Sequence, residues 1–451
     1  MLPEQFVSRM KPLLGDGFDA FIEELEHGAQ TRAFRLQADA CHVSALSAFS
    51  PEKLSYTENG YRYVGEKIGN TPMHHAGGIY VQDPGAMAAL CAVKIPKGAK
   101  IVDLCAAPGG KSSQAIYAAG EGGFLLANEY VPQRAKITVG NFERLGIRNA
   151  VVTSLDTSFL KGLYENFFDL AIVDAPCSGE GMFRKTDLAL TEWSVDNIRL
   201  CAERQAGILD NAASLVKEGG KLVYSTCTYA PEENEMTVAA FLSRHAEYEL
   251  VCPEPAVLAV SAEGLPAQGL SHPEYCRRFY PHVTHGEGQF VAVLQRTSAS
   301  APKILYKDAS SPLDKATSIT VDAFLRETLT GFDGNVRRVG DHLVLPPDAV
   351  PTPPRSVFSA GVVLGELKGK TLVPHHQFVS AYGGDYRNTL TLTDGDPRLT
   401  AYLRGEQIPA PECASGFAAV RYRGLSLGGG KLSSGMLNNH YPKGLRLLGN
   451  N

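Results

Sequence analysis

AKIVDLCAAPGGKSSQAIYAAG, residues 99–120, runs from an apolar, β-branched segment through a loop of small residues into an alanine-containing helical segment. That order reads as a strand, a tight turn and a helix. The turn comprises Cys105, Ala106, Ala107, Pro108, Gly109, Gly110 and Lys111. Side chains this small let the backbone approach a ligand, and the first N–H groups of the helix can receive an anionic group. GGKSS looks like the end of a phosphate-binding loop. Such a loop needs a glycine five positions before Gly110, where this chain has Cys105, and Pro108 changes the turn, so a nucleoside triphosphatase is set aside.

Working outward, AKIVDLCA is followed by GFLLANEY, AVVTSLD, FDLAIVDAPC and GKLVYSTC, each a short apolar run ending at a polar or small residue. Helical stretches such as KSSQAIYAAG and NIRLCAERQAGILDNAASLVKEG separate some of them. The alternation predicts an α/β fold, a parallel sheet with helices on both faces. Ligands of such sheets bind outside the carboxyl ends of the strands. Acids stand at three successive ends: Glu129, nineteen residues beyond Gly110, then Asp156, then Asp174. Each alone would pass for a surface carboxylate or a helix cap. Together they suit a ligand with a ribose, an adenine amine and an amino-acid tail, which is S-adenosylmethionine rather than a dinucleotide, whose GxGxxG is absent.

Two cysteines close the last two of these segments. DAPCSGEGMFRK puts Cys177 three residues past Asp174, and YSTCTYAPEENE puts Cys227 at the end of the next main strand. Pro231, Glu232 and Glu233 suit the opening of a helix just beyond Cys227. Burial is the ordinary fate of a cysteine, but a thiol pair at the ligand edge has a specific use beside a methyl donor. The C5 carbon of a pyrimidine is a poor nucleophile until a thiolate adds to C6, and a second thiol can help expel the first. From the residues alone, either thiol could be the one that attacks.

The rest of the chain bounds the setting. With 451 residues it needs more than one domain. Its 44% hydrophobic and 20% charged residues are those of a soluble globular protein, and no apolar run is long enough to span a bilayer. The first 28 residues lack the basic-then-apolar order of a signal peptide, so the cytoplasm is the expected compartment. Nine cysteines without a CxxC spacing suggest neither a metal site nor a disulfide framework. A net charge of −5 argues against indiscriminate coating of nucleic acid. After Glu412, however, the chain has no acid, while Arg421, Arg423, Lys431, Lys443 and Arg446 are basic. The expected domains are 1–75, small and mixed with an amphipathic helix around FDAFIEELEHG; 76–297, the parallel sheet; 298–314, a linker; and 315–380 and 381–451, rich in β-structure and outside the parallel sheet.

DLCAAPGGK, DAPCSGEG and STCTYAPEENE together resemble, in order and spacing, the cofactor, proline-cysteine and threonine-cysteine motifs of the Nol/Nop/Sun family of RNA 5-methylcytosine methyltransferases. YVQDPGAM (80–87) and PHVTHGEGQFVAVL (281–294) resemble its flanking motifs. SAGVVLGELKGKTLVPHH, YLRGEQIPAPE and LGGGKLSSGMLNNHYPKGLRLL resemble the appended region of its bacterial RsmF type. The resemblance implies an RRM-like N-terminal domain, a Rossmann-like methyltransferase core and a PUA-like RNA-binding ending. It implies methylation of cytosine C5 in the decoding region of small-subunit (16S) rRNA, as naked RNA or within the 30S subunit, by a monomer that uses S-adenosylmethionine. By position it makes Cys227 the nucleophile and Cys177 the thiol that assists product release. The donor site becomes Cys105, Ala106, Ala107, Pro108, Gly109, Gly110, Lys111, Glu129, Asp156 and Asp174, with Lys111 and Asp174 also helping to hold the base. The family's Arg-Xaa-Asn step is altered here, since FRLQ has Gln37 in the Asn position. A tRNA cytosine methyltransferase and a non-catalytic, rRNA-binding assembly factor are the alternatives.

Overall fold

The computed structural model describes residues 2–447 apart from 285, 349 and 370; the last four residues of the basic ending lie outside the described residues. At its centre is the predicted α/β sheet. Its strands are β1 (Lys100–Asp103), β2 (Phe124–Asn128), β3 (Ala150–Thr153), β4 (Phe168–Asp174), β5 (Val216–Thr226) and β6 (Gln289–Arg296). Their spatial order is β3-β2-β1-β4-β5-β6, parallel except for β6, which runs antiparallel to β5. The order reverses at β1 and β4, which opens a crevice at the carboxyl ends of those two strands.

The strands read as continuous apolar runs because both faces are covered. Along β4, Leu170 and Ile172 join one buried layer while Ala171 and Val173 join the opposite one, as the two-residue period of a strand requires. Helices Gly110–Ala119, Pro132–Arg144, Val195–Ala213 and Glu235–Arg244 flank the sheet. Among the described residues no helix is long and apolar enough to cross a membrane.

At the amino end, Arg32–Leu36 lies between Gly60–Tyr63 and Ile79–Val81 in an antiparallel four-stranded sheet, so this unit continues past residue 75. The two helices before it, Glu4–Leu14 and Phe18–His27, pack Phe6 and Phe21 against Phe183, Trp193, Tyr229 and Tyr280 of the central domain.

The region after residue 297 departs from expectation in two places. Within the expected linker, Lys303–Ile304 pairs with Tyr164–Glu165, and Tyr306 shares a 2.6 Å hydroxyl hydrogen bond with Tyr164. The carboxyl-terminal β-structure was expected to stay outside the parallel sheet, yet Val357–Ala360 adds to it, antiparallel to the outer edge of β3. An uncovered edge strand presents unpaired N–H and C=O groups, and this strand satisfies them. Gly361 then turns the chain into a separate four-stranded sheet. Its φ is +78°, and a Cβ there would stand 2.0 Å from the Leu345 carbonyl oxygen. Beyond it, Gly416–Tyr422, Leu425–Ser433 and Met436–Asn439 are the core of a five-stranded sheet. This last domain packs on the first: Phe34, Leu36 and Ile79 share one apolar cluster with Leu390, Tyr402 and Leu427.

Candidate active site

The loop after β1 is anchored at its root by Asp103, which is buried and accepts hydrogen bonds from Ser112 Oγ at 2.6 Å and from the Cys105 N–H at 3.1 Å. Burial, with Asp174 nearby, pushes the Asp103 carboxyl up to about 7. Burial beside Asp103 also raises the Cys105 thiol well above its ordinary range. The Ala106 N–H donates to the Asn128 carbonyl at 2.9 Å, and the Ala107 N–H to Glu129 Oε2 at 3.3 Å. The Pro108 carbonyl accepts from Asn141 Nδ2 at 2.8 Å. Gly109 has φ +104°, and a Cβ on Gly110 would stand 3.4 Å from Gln82 Nε2. That amide nitrogen is buried and has no hydrogen-bond partner among the described residues. The loop is thus a bare backbone cradle facing an unused donor.

The three acids are placed differently. Glu129 is buried and holds the loop, also accepting from the Val131 N–H at 3.1 Å. Asp174 is half-buried at the end of β4, where it pairs with Lys111 Nζ at 2.8 Å and accepts from Ser225 Oγ at 2.8 Å and Gln289 Nε2 at 3.3 Å. Asp156 is exposed, and its described hydrogen bonds are those of a helix cap, from the Ser158 N–H at 2.9 Å and Ser158 Oγ at 2.6 Å. Those bonds hold its carboxyl below the usual range.

β4 and β5 are in register, Ser225 opposite Asp174, so the segments leaving them run side by side. Cys177 Sγ and Cys227 Sγ are 3.2 Å apart, both half-buried, and the Cys227 N–H donates to Cys177 Sγ at 3.4 Å. The contact with Cys227, together with burial, drives the Cys177 thiol well above its ordinary range. The chain beyond Cys227 forms a turn, and helix Glu235–Arg244 starts four residues after Pro231.

Sequence reasoning missed several residues that make this geometry. Arg35 is fully buried: its Nε donates to Gln82 Oε1 at 2.5 Å, and its Nη2 to the Gly110 carbonyl and Ser113 Oγ, both at 2.8 Å. Arg35, the Arg of the Arg-Xaa-Gln step, therefore faces the ligand loop and, being fully buried, has no surface for docking RNA. Glu180 and Glu233, both buried, bond the loops that carry the two thiols. Gln82, Gln289 and Arg35 all sit in quoted motifs and could have been found there; the partners of Arg35 could not, because they are 47 and more residues away.

Comparisons with known proteins agree along most of the chain. Residues 91–295 match the family model described as 16S rRNA methyltransferase RsmB/F, residues 2–84 the N-terminal domain of 16S rRNA methyltransferase RsmF, and residues 389–447 the methyltransferase RsmF PUA domain. Ribosomal RNA small subunit methyltransferase F of Aeromonas salmonicida is 30% identical over 392 residues, covering 84% of this chain and 81% of that one. Its namesake in Vibrio vulnificus (strain YJ016) is 27% identical over 479 residues, covering 98% and 97%. Among solved structures, a methyltransferase homolog protein from Pyrococcus horikoshii superimposes with a TM-score of 0.57 at 26% identity, covering 65% of this chain and 95% of that one. NSun6 from the same organism, solved with SFG, shares the fold with a TM-score of 0.56 at 19% identity, covering 66% and 99%.

Proposed function

The chain belongs to the ribosomal RNA small subunit methyltransferase F family, and from that premise we propose that it methylates C5 of cytosine in small-subunit rRNA, at the decoding region, through a covalent Cys227 adduct. The enzyme is an S-adenosylmethionine-dependent rRNA methyltransferase. Its loop suits that donor, since Gly109 and Gly110 leave a backbone cradle and Gln82 Nε2 faces it unpaired. The backbone of residues 105–111 would hold the donor, with Glu129 toward the ribose, Asp156 toward the adenine amine and Asp174 beside the amino-acid tail. When bound, S-adenosylmethionine supplies an electrophilic methyl group.

The chain's own residues do the rest. Cys227 Sγ adds to C6 of a cytosine flipped into the crevice, so the C5–C6 π electrons move onto C5. Lys111 and Asp174, paired at 2.8 Å beside β5, hold the polar edge of the base. After methylation, the C5 proton passes to solvent, its electron pair re-forms the C5–C6 double bond, and the C6–Sγ bond breaks with its electrons leaving on the Cys227 sulfur. Cys177, 3.2 Å from the departing sulfur, assists that release. The raised Cys177 thiol is the protonated partner such a step needs.

The approach of the two thiols at the carboxyl edge carries this reading, because oxygen and nitrogen methylation need no such pair. The test incubates labelled donor with the protein, small subunits lacking the modification and unmodified tRNA, and then maps the label. We expect 5-methylcytosine in the decoding region with the native chain and none with Cys227→Ser. Full turnover by Cys227→Ser, or label placed only in tRNA, would overturn the proposal.

A further inference from the structure

The two thiol loops are cross-braced by their own carboxyls. Glu180, three residues after Cys177, reaches the Cys227 loop, where Oε2 accepts from the Tyr229 N–H at 2.8 Å and contacts Thr228 Oγ1 at 2.9 Å. Glu233, six residues after Cys227, reaches back: Oε2 accepts from the Ser178 N–H at 3.0 Å and Gln205 Nε2 at 2.8 Å, while Oε1 lies 2.5 Å from Ser178 Oγ. Each brace therefore ends on the residue that directly follows the other loop's cysteine. Ser178 Oγ and Thr228 Oγ1 are themselves 2.8 Å apart, which closes a chain Glu233–Ser178–Thr228–Glu180. Both carboxyls are at most 1% exposed, and neither is in an ion pair among the described residues.

The chain has three oxygen–oxygen links, and its two hydroxyls bring one proton each. Three hydrogen bonds need a third proton, and only a carboxyl can carry it. Two arrangements satisfy every link, with the third proton on either carboxyl. Glu180 already accepts from Trp193 Nε1 at 2.9 Å on Oε1 and from the Tyr229 N–H on Oε2, whereas Glu233 Oε1 meets only Ser178 Oγ among the described residues. That difference favours Glu233 donating to Ser178, Ser178 to Thr228, and Thr228 to Glu180. Burial separately pushes the Glu233 carboxyl up to about 7.

We propose that Glu233 and Glu180 are positioning residues for the thiol pair, with Glu233 protonated and donating to Ser178, so that Cys177 is held within reach of Cys227 for product release. The inference rests on the two-thiol reading above. The Glu233 brace acts on Ser178, beside Cys177 rather than Cys227, so its loss should spare adduct formation and impair resolution.

The experiment measures turnover, the fraction of enzyme trapped as a denaturant-stable protein–RNA adduct, and thermal unfolding for Glu233→Ala, Glu233→Gln and Ser178→Ala. Glu233→Ala should lower turnover about 10²-fold, with the lost turnover appearing as methylated adduct. Glu233→Gln should rescue both, because its amide N–H replaces the carboxyl proton and its carbonyl still accepts from Ser178 and Gln205. If Glu233→Ala does not fold, Ser178→Ala breaks the same link and should also accumulate adduct. Native turnover without adduct in the alanine variants, or a Glu233→Gln variant as impaired as Glu233→Ala, would overturn the inference. Failure of Cys177→Ala itself to trap adduct would instead strike the two-thiol reading.

Discussion

The thiol crevice and the junction where the first domain meets the last are both buried and both polar, yet they are built on opposite terms. Around Cys177 and Cys227 the buried side chains bond one another: Glu180, Glu233, Ser178, Thr228 and Gln205 form a connected set. At the junction, His75 Nδ1 meets the Tyr441 hydroxyl at 2.7 Å, but His74 Nδ1, His75 Nε2 and His376 Nδ1 are buried without hydrogen-bond partners among the described residues. Apolar contact supplies the cohesion there. A satisfied network fixes geometry, which a reacting pair of sulfurs needs. An apolar seam with neutral imidazoles fixes only contact, and it should yield first when the imidazoles charge.

Cys227→Ser tests the crevice most severely. Methyl transfer should fall by about 10⁴-fold or more, while thermal unfolding stays near native. Cys177→Ala should still form the covalent RNA adduct but release it poorly, seen as a denaturant-stable band that carries the methyl label. Rapid release would detach Cys177 from the chemistry and leave the crevice merely structural. Gly181→Ala probes the rigidity claimed for this region. Its Cβ would stand 2.7 Å from the Glu287 carbonyl oxygen and 2.9 Å from that of Cys227, both backbone atoms that resist displacement. We expect turnover to fall about 10²-fold, since a shift near 1 Å suffices; near-native turnover would show that the crevice tolerates the movement we exclude.

Acid should reverse the contrast. Burial lowers His74 and His376 to about 3 and His75 to about 4, from an unfolded value of 6.5. Between about 4 and 6.5 the unfolded chain binds more protons than the folded one, so stability falls as pH drops below 6.5. Each histidine contributes up to about 1.4 kcal/mol per pH unit. Thermal unfolding followed from pH 7 to pH 5 should show this loss, and substituting His376 with Gln should shrink it. The smallest effect is expected for Tyr441→Phe, which removes one hydrogen bond to His75 and should cost about 1 kcal/mol, with methyl transfer unchanged.

Legibility in the sequence follows the same divide. Cys177, Cys227, Lys111 and Asp174 were readable because each lies within a few residues of a strand end, and neighbouring parallel strands bring their ends to one edge. Glu129 and Asp156 were readable as positions but not as partners. One ties down the donor loop and the other caps a helix, according to which N–H groups lie near. Arg35 was readable as the Arg of FRLQ but not by its partners, since its fully buried guanidinium answers to Gln82, Gly110 and Ser113, 47 and more residues away. The strand Val357–Ala360 was readable as a strand, but nothing local says that the edge of β3 is its partner.

By itself, then, the sequence determined the strand–turn–helix order, the small-residue cradle and two thiols at strand ends, because periodicity and turn chemistry act over about a dozen residues. Only the tertiary structure decided that the thiols stand 3.2 Å apart, that two carboxyls brace them crosswise and that the first and last domains share one apolar cluster. Those outcomes depend on satisfying buried polar groups and open strand edges with whatever packing brings near, and such partners need not be close in the chain.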